Sequence, residues 1–265
     1  MKILNQKVST YNSNIHNIEK NQQKNNERLS SGKKINKASD DAAGLAIAEK
    51  MNALINGIGK GVNNTYDMQN ALKTADGSLS SINDNLQRIR DLSLQASSSI
   101  LNDDDKKLIQ EEINQTLSSI NDIAKNTQFN GQNLLDGSFT DKNVAMNADG
   151  SGTSISIGAV DTNALGLGNF SVMQNSIDMS SINKAIDAIS SARVKIGAQI
   201  NRFDYAIASN SNTGLNMAAS KSKIEDADMA KESMNRQTNK ALSQYGIFTQ
   251  KNRSQTQYNM LNILF

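Results

Sequence analysis

From Ile47 the apolar and small positions step by fours and threes through Met51, Leu54, Ile58, Gly61, Thr65, Met68, Leu72, Ala75, Leu79, Ile82, Leu86 and Ile89. That is a heptad seam sustained over six repeats, the pattern of a long helix laid against another helix. A helix from about Ala42 to Ser99 would be roughly 85 Å long at 1.5 Å per residue, which predicts a rod in place of a globule. The seam stops at SSSILNDDDKK, where Asp103–Asp105 suit the positive N-terminus of a second helix. This helix carries Ile109, Ile113, Thr116, Ile120 and Ile123, with Leu117 and Ala124 widening the stripe, and should fold back on the first.

The period then changes. TQFNGQNLLDGSF, residues 127–139, contains Asn-Gly and Asp-Gly turn signals. In NVAMNADGSGTSISIG, Val144 and Met146 alternate and are followed across a Gly-rich turn by Ile155 and Ile157, which predicts a β-hairpin. A soft segment runs on to about Met179, after which a third seam appears at Ile182, Ile186, Ile189, Arg193, Ile196, Ile200, Phe203 and Ile207. Arg193 is expected to pack its stem in that seam and carry its charge to the edge, toward a carboxylate.

The two ends are weaker. Leu4, Val8, Tyr11, Ile15 and Ile18 keep the four-three step, but Gln22 and Asn25 take the next two places before Leu29. Met234, Ala241, Tyr245 and Phe248 are followed by the polar TQKNRSQTQ and then YNMLNILF, which holds Met260, Leu261, Ile263, Leu264 and Phe265. Such arms have few apolar contacts with which to offset their ordering entropy, so they are expected to order only against copies of themselves. The fold class predicted is mainly α: a long antiparallel helical hairpin with paired terminal arms and one small β-hairpin. The segments are 1–41, 42–141, 142–179, 180–221 and 222–265.

Composition narrows the chemistry. Proline is absent, where average usage would give roughly 13, and this favours uninterrupted helices. Without Cys there are neither disulfides nor thiolate metal sites. The 28 basic and 26 acidic residues are interspersed and form no cationic stripe, so nucleic acid is not an expected partner. The N-terminal MKILNQKVSTYNSN has no apolar core and cleavage site of a secretory signal, and no run of 18 apolar residues occurs, so neither a cleaved signal nor a membrane span is expected.

Candidate catalytic chemistry fails on residue type. His16 is the only His, so no His-pair metal site and no Ser-His-Asp triad is suggested. Asp103–Asp105 lack the spacing and Gly of a calcium loop. The stretch SSGKK, residues 30–34, lacks both the spacing and the preceding strand of a phosphate-binding loop. Its Lys33 and Lys34, with Lys37, are expected to be solvated or to face acids of a neighbouring subunit. Neither enzymatic activity nor a cofactor is expected.

Four stretches are familiar. RLSSGKKINKASDDAAGLAIAEKM, LQRIRDLSLQAS, TQFNGQNLLDG and SKIEDADMAKE resemble bacterial flagellin, in that family's order and at both ends of the chain. The resemblance covers roughly residues 1–141 and 180–265, and the stretch between is short, so the outer variable domains of larger flagellins are missing. It implies a subunit that polymerises into a hollow motility filament. Residues 1–41 and 222–265 would line an inner tube, through Leu4, Val8, Tyr11, Ile15, Ile18, Tyr245, Phe248, Met260, Leu261, Ile263, Leu264 and Phe265. The long helices would form a second tube, with 142–179 a β-hairpin and surface segment. Residues 30–41 become a spoke between layers, with Gly32 for the turn and Ser39 or Asp40 capping the next helix.

The same resemblance singles out Gln87, Arg88, Leu92 and Glu112, which with Asp91 and Gln95 form a helix-flank strip beside the Leu86–Ile89–Ser93 seam. Asp91 stands where the family commonly has Glu. In flagellins the strip contacts neighbouring subunits, and on released monomers it engages the flagellin-sensing Toll-like receptor; its plain alternative is an exposed face laced by an Arg88–Asp91 pair. Implied partners are further copies of the chain, an export chaperone, the filament cap and hook-filament junction proteins. The implied location is the extracellular flagellum, reached by export without signal cleavage. Two rival readings are a hook-filament junction protein and a cytosolic coiled-coil signalling rod, the latter leaving the apolar extreme termini unexplained.

Overall fold

In the computed structural model, residues 2–173 and 177–264 are described, with side chains over 13–173, 177–256 and at 258–259. The element order is α1 (Lys2–Ser31), α2 (Ala42–Ala96), α3 (Asp103–Asn126), β1 (Gln128–Phe129), β2 (Gln132–Asn133), β3 (Lys142–Ala145), β4 (Gly152–Ile155), α4 (Met179–Glu225) and α5 (Met229–Leu264). The fold is mainly α, as the seams predict. The chain divides into two compact units, one of residues 1–53 and 216–265 and the other of 54–215, so the division falls inside α2 and α4 and not at their ends.

In the unit 54–215, α2, α3 and α4 share one core. Its α2 contribution is Leu72, Ala75, Leu79, Ile82, Leu86, Ile89, Leu92 and Ala96, met by Ile109, Ile113, Ile120 and Ala124 of α3 and by Ile182, Ala185, Ile189, Ile196 and Phe203 of α4. Cross-helix contacts give the directions. Asn85 reaches Ser119 and Arg88 reaches Glu112, so α3 runs antiparallel to α2. Gln69 Nε2 donates to Asp204 Oδ1 at 2.6 Å and Arg193 Nε to Asp76 Oδ1 at 2.9 Å, so α4 does too. Arg193 therefore finds the carboxylate expected of it.

Local signals fix the ends of α3. Asn102 and Asp105 form a reciprocal capping box at its start, with Asp103, Asp104 and Asp105 in the first turn, and Thr127 Oγ1 returns to the Ile123 carbonyl at its end. Asn130 and Gly131 then adopt φ of 48° and 74°, the left-handed pair that a two-residue hairpin turn needs. The second hairpin pairs Lys142 with Ile155 and Val144 with Thr153, and it buries Val144, Met146, Ile155 and Ile157.

Its turn lies directly on α2. A Cβ at Gly61 would stand 2.0 Å from the Met146 carbonyl oxygen, and one at Gly57 2.8 Å from the Ala148 Cβ. Asn64 and Asn210 donate to the carbonyls of Ala145 and Met146 at 3.1 and 2.9 Å, holding the turn from two helices.

Two expectations need correction here. The segment after the hairpin is not wholly surface: Val160, Leu165, Leu167 and Val172 are buried in the core. Side chains of α3 tie it down, Asn121 accepting from Thr162 N and Oγ1 at 3.0 Å and Gln110 accepting from Val172 N at 2.7 Å. The α2 seam also fails at its start, where Ile47 and Leu54 are exposed and Ala48 is buried in their stead. That stretch of the helix faces a different neighbour, the Ile35 side chain near Gly44.

In the unit of 1–53 and 216–265, α1 packs against α5. Among the described residues its buried apolar side chains are Ile35 and Ala48. The two arms pair with each other, as the fold class predicts. Leu4, Val8, Tyr11, Met260, Leu261, Ile263, Leu264 and Phe265 lie outside the residues whose side chains are described.

Candidate assembly surfaces

The joint at 32–41 begins with Gly32, whose φ of 71° lets α1 end with the Gly32 N–H on the Arg28 carbonyl. Lys34 N then donates to the Glu225 carbonyl at 2.7 Å and Ala227 N to the Gly32 carbonyl at 2.9 Å, an antiparallel bridge between this joint and the one linking α4 to α5. The three lysines are exposed, as expected, and each also finds an acceptor within its own chain. Lys33 Nζ meets Glu225 Oε1 at 2.5 Å, Lys34 Nζ donates to the Lys223 carbonyl at 2.8 Å, and Lys37 Nζ meets Glu27 at 2.8 Å.

The buried Glu225 carboxylate, which Lys221 also approaches at 3.6 Å, is held below its ordinary pKa chiefly by the Lys33 hydrogen bond; Lys33 is raised in return. Neither Ser39 nor Asp40 caps α2. Asp41 does, its Oδ1 accepting from Gly44 N at 2.9 Å, while Ser39 is exposed. Asp40 closes the preceding turn by accepting from Asn36 N and Lys37 N at 3.2 Å and pairs with Lys24 at 3.3 Å. These contacts, the Asn36 N–H first, hold its carboxyl below the usual carboxylate range.

On the flank strip, Gln87, Arg88, Asp91, Gln95 and Glu112 are all exposed. Arg88 Nε donates across to Glu112 Oε1 of α3 at 3.0 Å, with Nη2 on the same oxygen, so the partner of Arg88 is Glu112 and not Asp91. Leu92 does not belong to this surface. It is 3% exposed and packed in the core, because α2 lies against two helices and its buried stripe is wider than a two-helix seam. Leu94 of α2 and Leu108 of α3, both off the seam positions, are exposed apolar side chains.

On the arm pair, the face of α1 toward α5 carries Ile15, Ile18, Gln22, Asn25 and Leu29, the four-three line of the sequence, all at least half-buried. The matching face of α5 is small and polar: Glu232, Asn239, Ser243, Gly246 and Thr249. Its apolar residues point elsewhere. Met234, Leu242, Tyr245, Ile247 and Phe248 are 47–66% exposed.

Among the described residues no group of three His, Cys, Asp or Glu is placed to hold a metal ion, and no helix is long and apolar enough to cross a membrane. What the geometry offers is contact area at the strip and along α5.

Two family models account for the helices. Residues 4–140 match the bacterial flagellin N-terminal helical region and residues 179–264 the bacterial flagellin C-terminal helical region. The chain belongs to the bacterial flagellin family. It is 34% identical to flagellin FlaB2 of Treponema pallidum and 34% identical to the flagellin of Bacillus subtilis, in each case over 91% of this chain and 92% of that protein.

Among solved structures, Bacillus cereus flagellin matches with a TM-score of 0.50 at 30% identity, over 60% of this chain and 94% of that one. A putative flagellar hook-associated protein from Vibrio parahaemolyticus matches with a TM-score of 0.57 at 17% identity, a likeness of fold alone. This flagellin is thus a structural subunit of the flagellar filament, external to the cell, that assembles with itself.

Proposed function

We propose that the chain polymerises head to tail into a hollow helical filament that acts as the cell's propeller, with the α1–α5 pair lining the channel and the α2–α3–α4 unit forming the layer around it. A repeated contact between unlike faces that does not close on itself generates such a polymer. The observation that carries this reading is the exposed apolar face of Met234, Leu242, Tyr245 and Phe248 on a helix whose other face is already occupied by α1. Burying one large apolar side chain contributes about 1.5–3 kcal/mol, so covering this face with other copies would stabilise a contact repeated at every subunit.

In this reading the joint at 32–41 is the spoke between the two layers. Export proceeds through the flagellar channel without signal cleavage, with a chaperone holding the C-terminal arm, and the growing end meets the cap and hook-filament junction proteins. The Arg88–Glu112 strip, with Gln87, Asp91 and Gln95, contacts a neighbouring subunit in the filament and presents itself to the flagellin-sensing Toll-like receptor on the released chain. Its exposure and the ion pair bridging two helices support this use.

Electron microscopy of concentrated, salted-out protein tests the proposal. Long hollow tubes are expected, and none from a chain lacking residues 258–265, whose circular dichroism should stay helical. Short rods of fixed size from the full chain, or normal tubes from the truncated one, would overturn it.

A further inference from the structure

The arm helix α5 is turned against its own hydrophobicity. Gly246 is buried toward α1 and Phe248, two residues on, is 60% exposed. At 100° per residue the two point roughly 160° apart. Apolar burial alone would rotate the helix and lay Tyr245 and Phe248 on Ile15 and Ile18.

A polar layer opposes that rotation. Glu232 is 7% exposed and Asn25 is 7% exposed. Arg28 Nη1 donates to Glu232 Oε1 at 3.2 Å. Oriented with its nitrogen toward the carboxylate, the Asn25 amide donates to Glu232 Oε2 at 3.1 Å and accepts from Asn239 Nδ2 at 2.9 Å. Both carboxylate oxygens and both ends of the amide are therefore matched across the two helices. Rotating α5 would bring Met234 and Ala241 toward Asn25, strip its amide of both partners, and leave Arg28 without its carboxylate, and an unpaired buried polar group is costly. Ser243 and Gly246 act in the same sense, because small residues let the helices approach where Tyr245 or Phe248 would hold them apart.

We propose that Asn25, Arg28, Glu232 and Asn239 form a register and rotation lock that seats α5 on α1 by its polar face and so keeps its apolar face outward for further copies of this chain. A buried polar position in a helix pair sets register at some expense of stability, and here it also decides which face is left for assembly. The lock is a statement about the single chain. Only its last clause rests on the assembly reading above.

The absence of Cys makes the test direct. A single reporter, Phe248→Cys or Ser243→Cys, is placed in the otherwise unchanged full-length chain, and maleimide labelling is followed before polymerisation. Phe248→Cys should label at least tenfold faster than Ser243→Cys. Adding Asn25→Leu with Glu232→Leu should reverse that order, preserve or raise helicity by circular dichroism, and abolish polymerisation. The swap of Arg28→Glu with Glu232→Arg should restore order and assembly that either single change loses.

Equal labelling of the two reporters in the parent chain, or an unreversed order in the Leu variant, overturns the lock. So does a swap that fails to rescue, which also covers the case of a Leu variant that misfolds. If the reporters label as expected yet the chain with Phe248 and Ser243 both unchanged never polymerises, the lock stands and the assembly reading is overturned instead.

Discussion

The burial of Leu92 separates two surfaces that family resemblance places together, and it makes a quantitative difference to mutagenesis. Leu92 is 3% exposed, in a core that includes Ile89, Ala96 and Ile109. Truncating a buried Leu to Ala costs about 2–5 kcal/mol, the transfer of the lost atoms plus the cavity left behind. Leu92 lies one turn from the end of α2, where the backbone can relax, so about 3 kcal/mol is the working value. For a unit of this size that lowers Tm by about 6–12 °C. Arg88 and Glu112 form an exposed pair worth about 0–1 kcal/mol, so Arg88→Ala should shift Tm by no more than about 4 °C. Thermal unfolding of the unpolymerised chain by circular dichroism distinguishes the two, and a receptor reporter assay run beside it shows whether signalling follows stability or surface. Loss of signalling in Leu92→Ala should be matched by loss of fold, whereas loss in Arg88→Ala should not. If Leu92→Ala melts within 2 °C of the parent, with the 2 °C taken as roughly one kcal/mol, Leu92 is not core and the burial argument is wrong.

Two further outcomes follow from contacts already described. Gly61→Ala should destabilise the chain even though Ala is the better helix former, because its Cβ would collide with the Met146 carbonyl, whereas Gly77→Ala, with nothing within 4 Å of its Cβ, should stabilise it by about 0.5–1 kcal/mol; equal effects in urea unfolding would show that the hairpin turn does not rest on α2. Glu225 and Asp40 have depressed folded pKa values, so their stabilising contribution is full at neutral pH and is lost as pH falls from roughly 4 through those lower values. Lys33 is raised, and its contribution is lost only as pH rises past roughly 10. Glu225→Gln should make the acid limb of stability against pH shallower, and an unchanged limb would remove the Lys33–Glu225 pair from the account.

Much of the fold was legible because period and caps are local. The seams of α2 from Ile58 onward, of α3 and of α4 became buried faces, the Asp cluster at 103–105 began a helix, and Asn130–Gly131 made the turn that its backbone preferences demand. The misses are non-local. Leu92 lies three residues from Ile89, and only the presence of two packing partners for α2 makes its flank a core position. Val160, Leu165, Leu167 and Val172 follow no period, and they are buried because Asn121 and Gln110, far back in the chain, hold their backbone. The exchange of Asp41 for Asp40 at the α2 cap is a one-residue ambiguity between adjacent identical side chains, resolved by which N–H each can reach. For α5 the apolar period was visible and its direction was not, since nothing in one helix says which face its neighbour will take.

The contrast between the two units implies an order of stability that exchange can measure. The unit 54–215 holds the shared core, whereas the described residues of the other unit bury only Ile35 and Ala48 among apolar side chains and rely on ion pairs and hydrogen bonds. Lys37–Glu27 is an exposed pair worth about 0–1 kcal/mol, and bonds of this kind hardly outweigh the 1–2 kcal/mol per residue spent in ordering a helix backbone. In the single chain, amides of 13–31 and 229–256 should therefore exchange well before those of 72–96 and 109–124, whose opening should approach the global unfolding free energy. Polymerisation covers the apolar line of α5 and should slow the arms far more than the core helices. Equal protection of arms and core in the single chain would mean that polar pairing alone stabilises α1 and α5. Arms that still exchange fast in the polymer would mean that the exposed line of Met234, Leu242, Tyr245 and Phe248 is not what assembly buries.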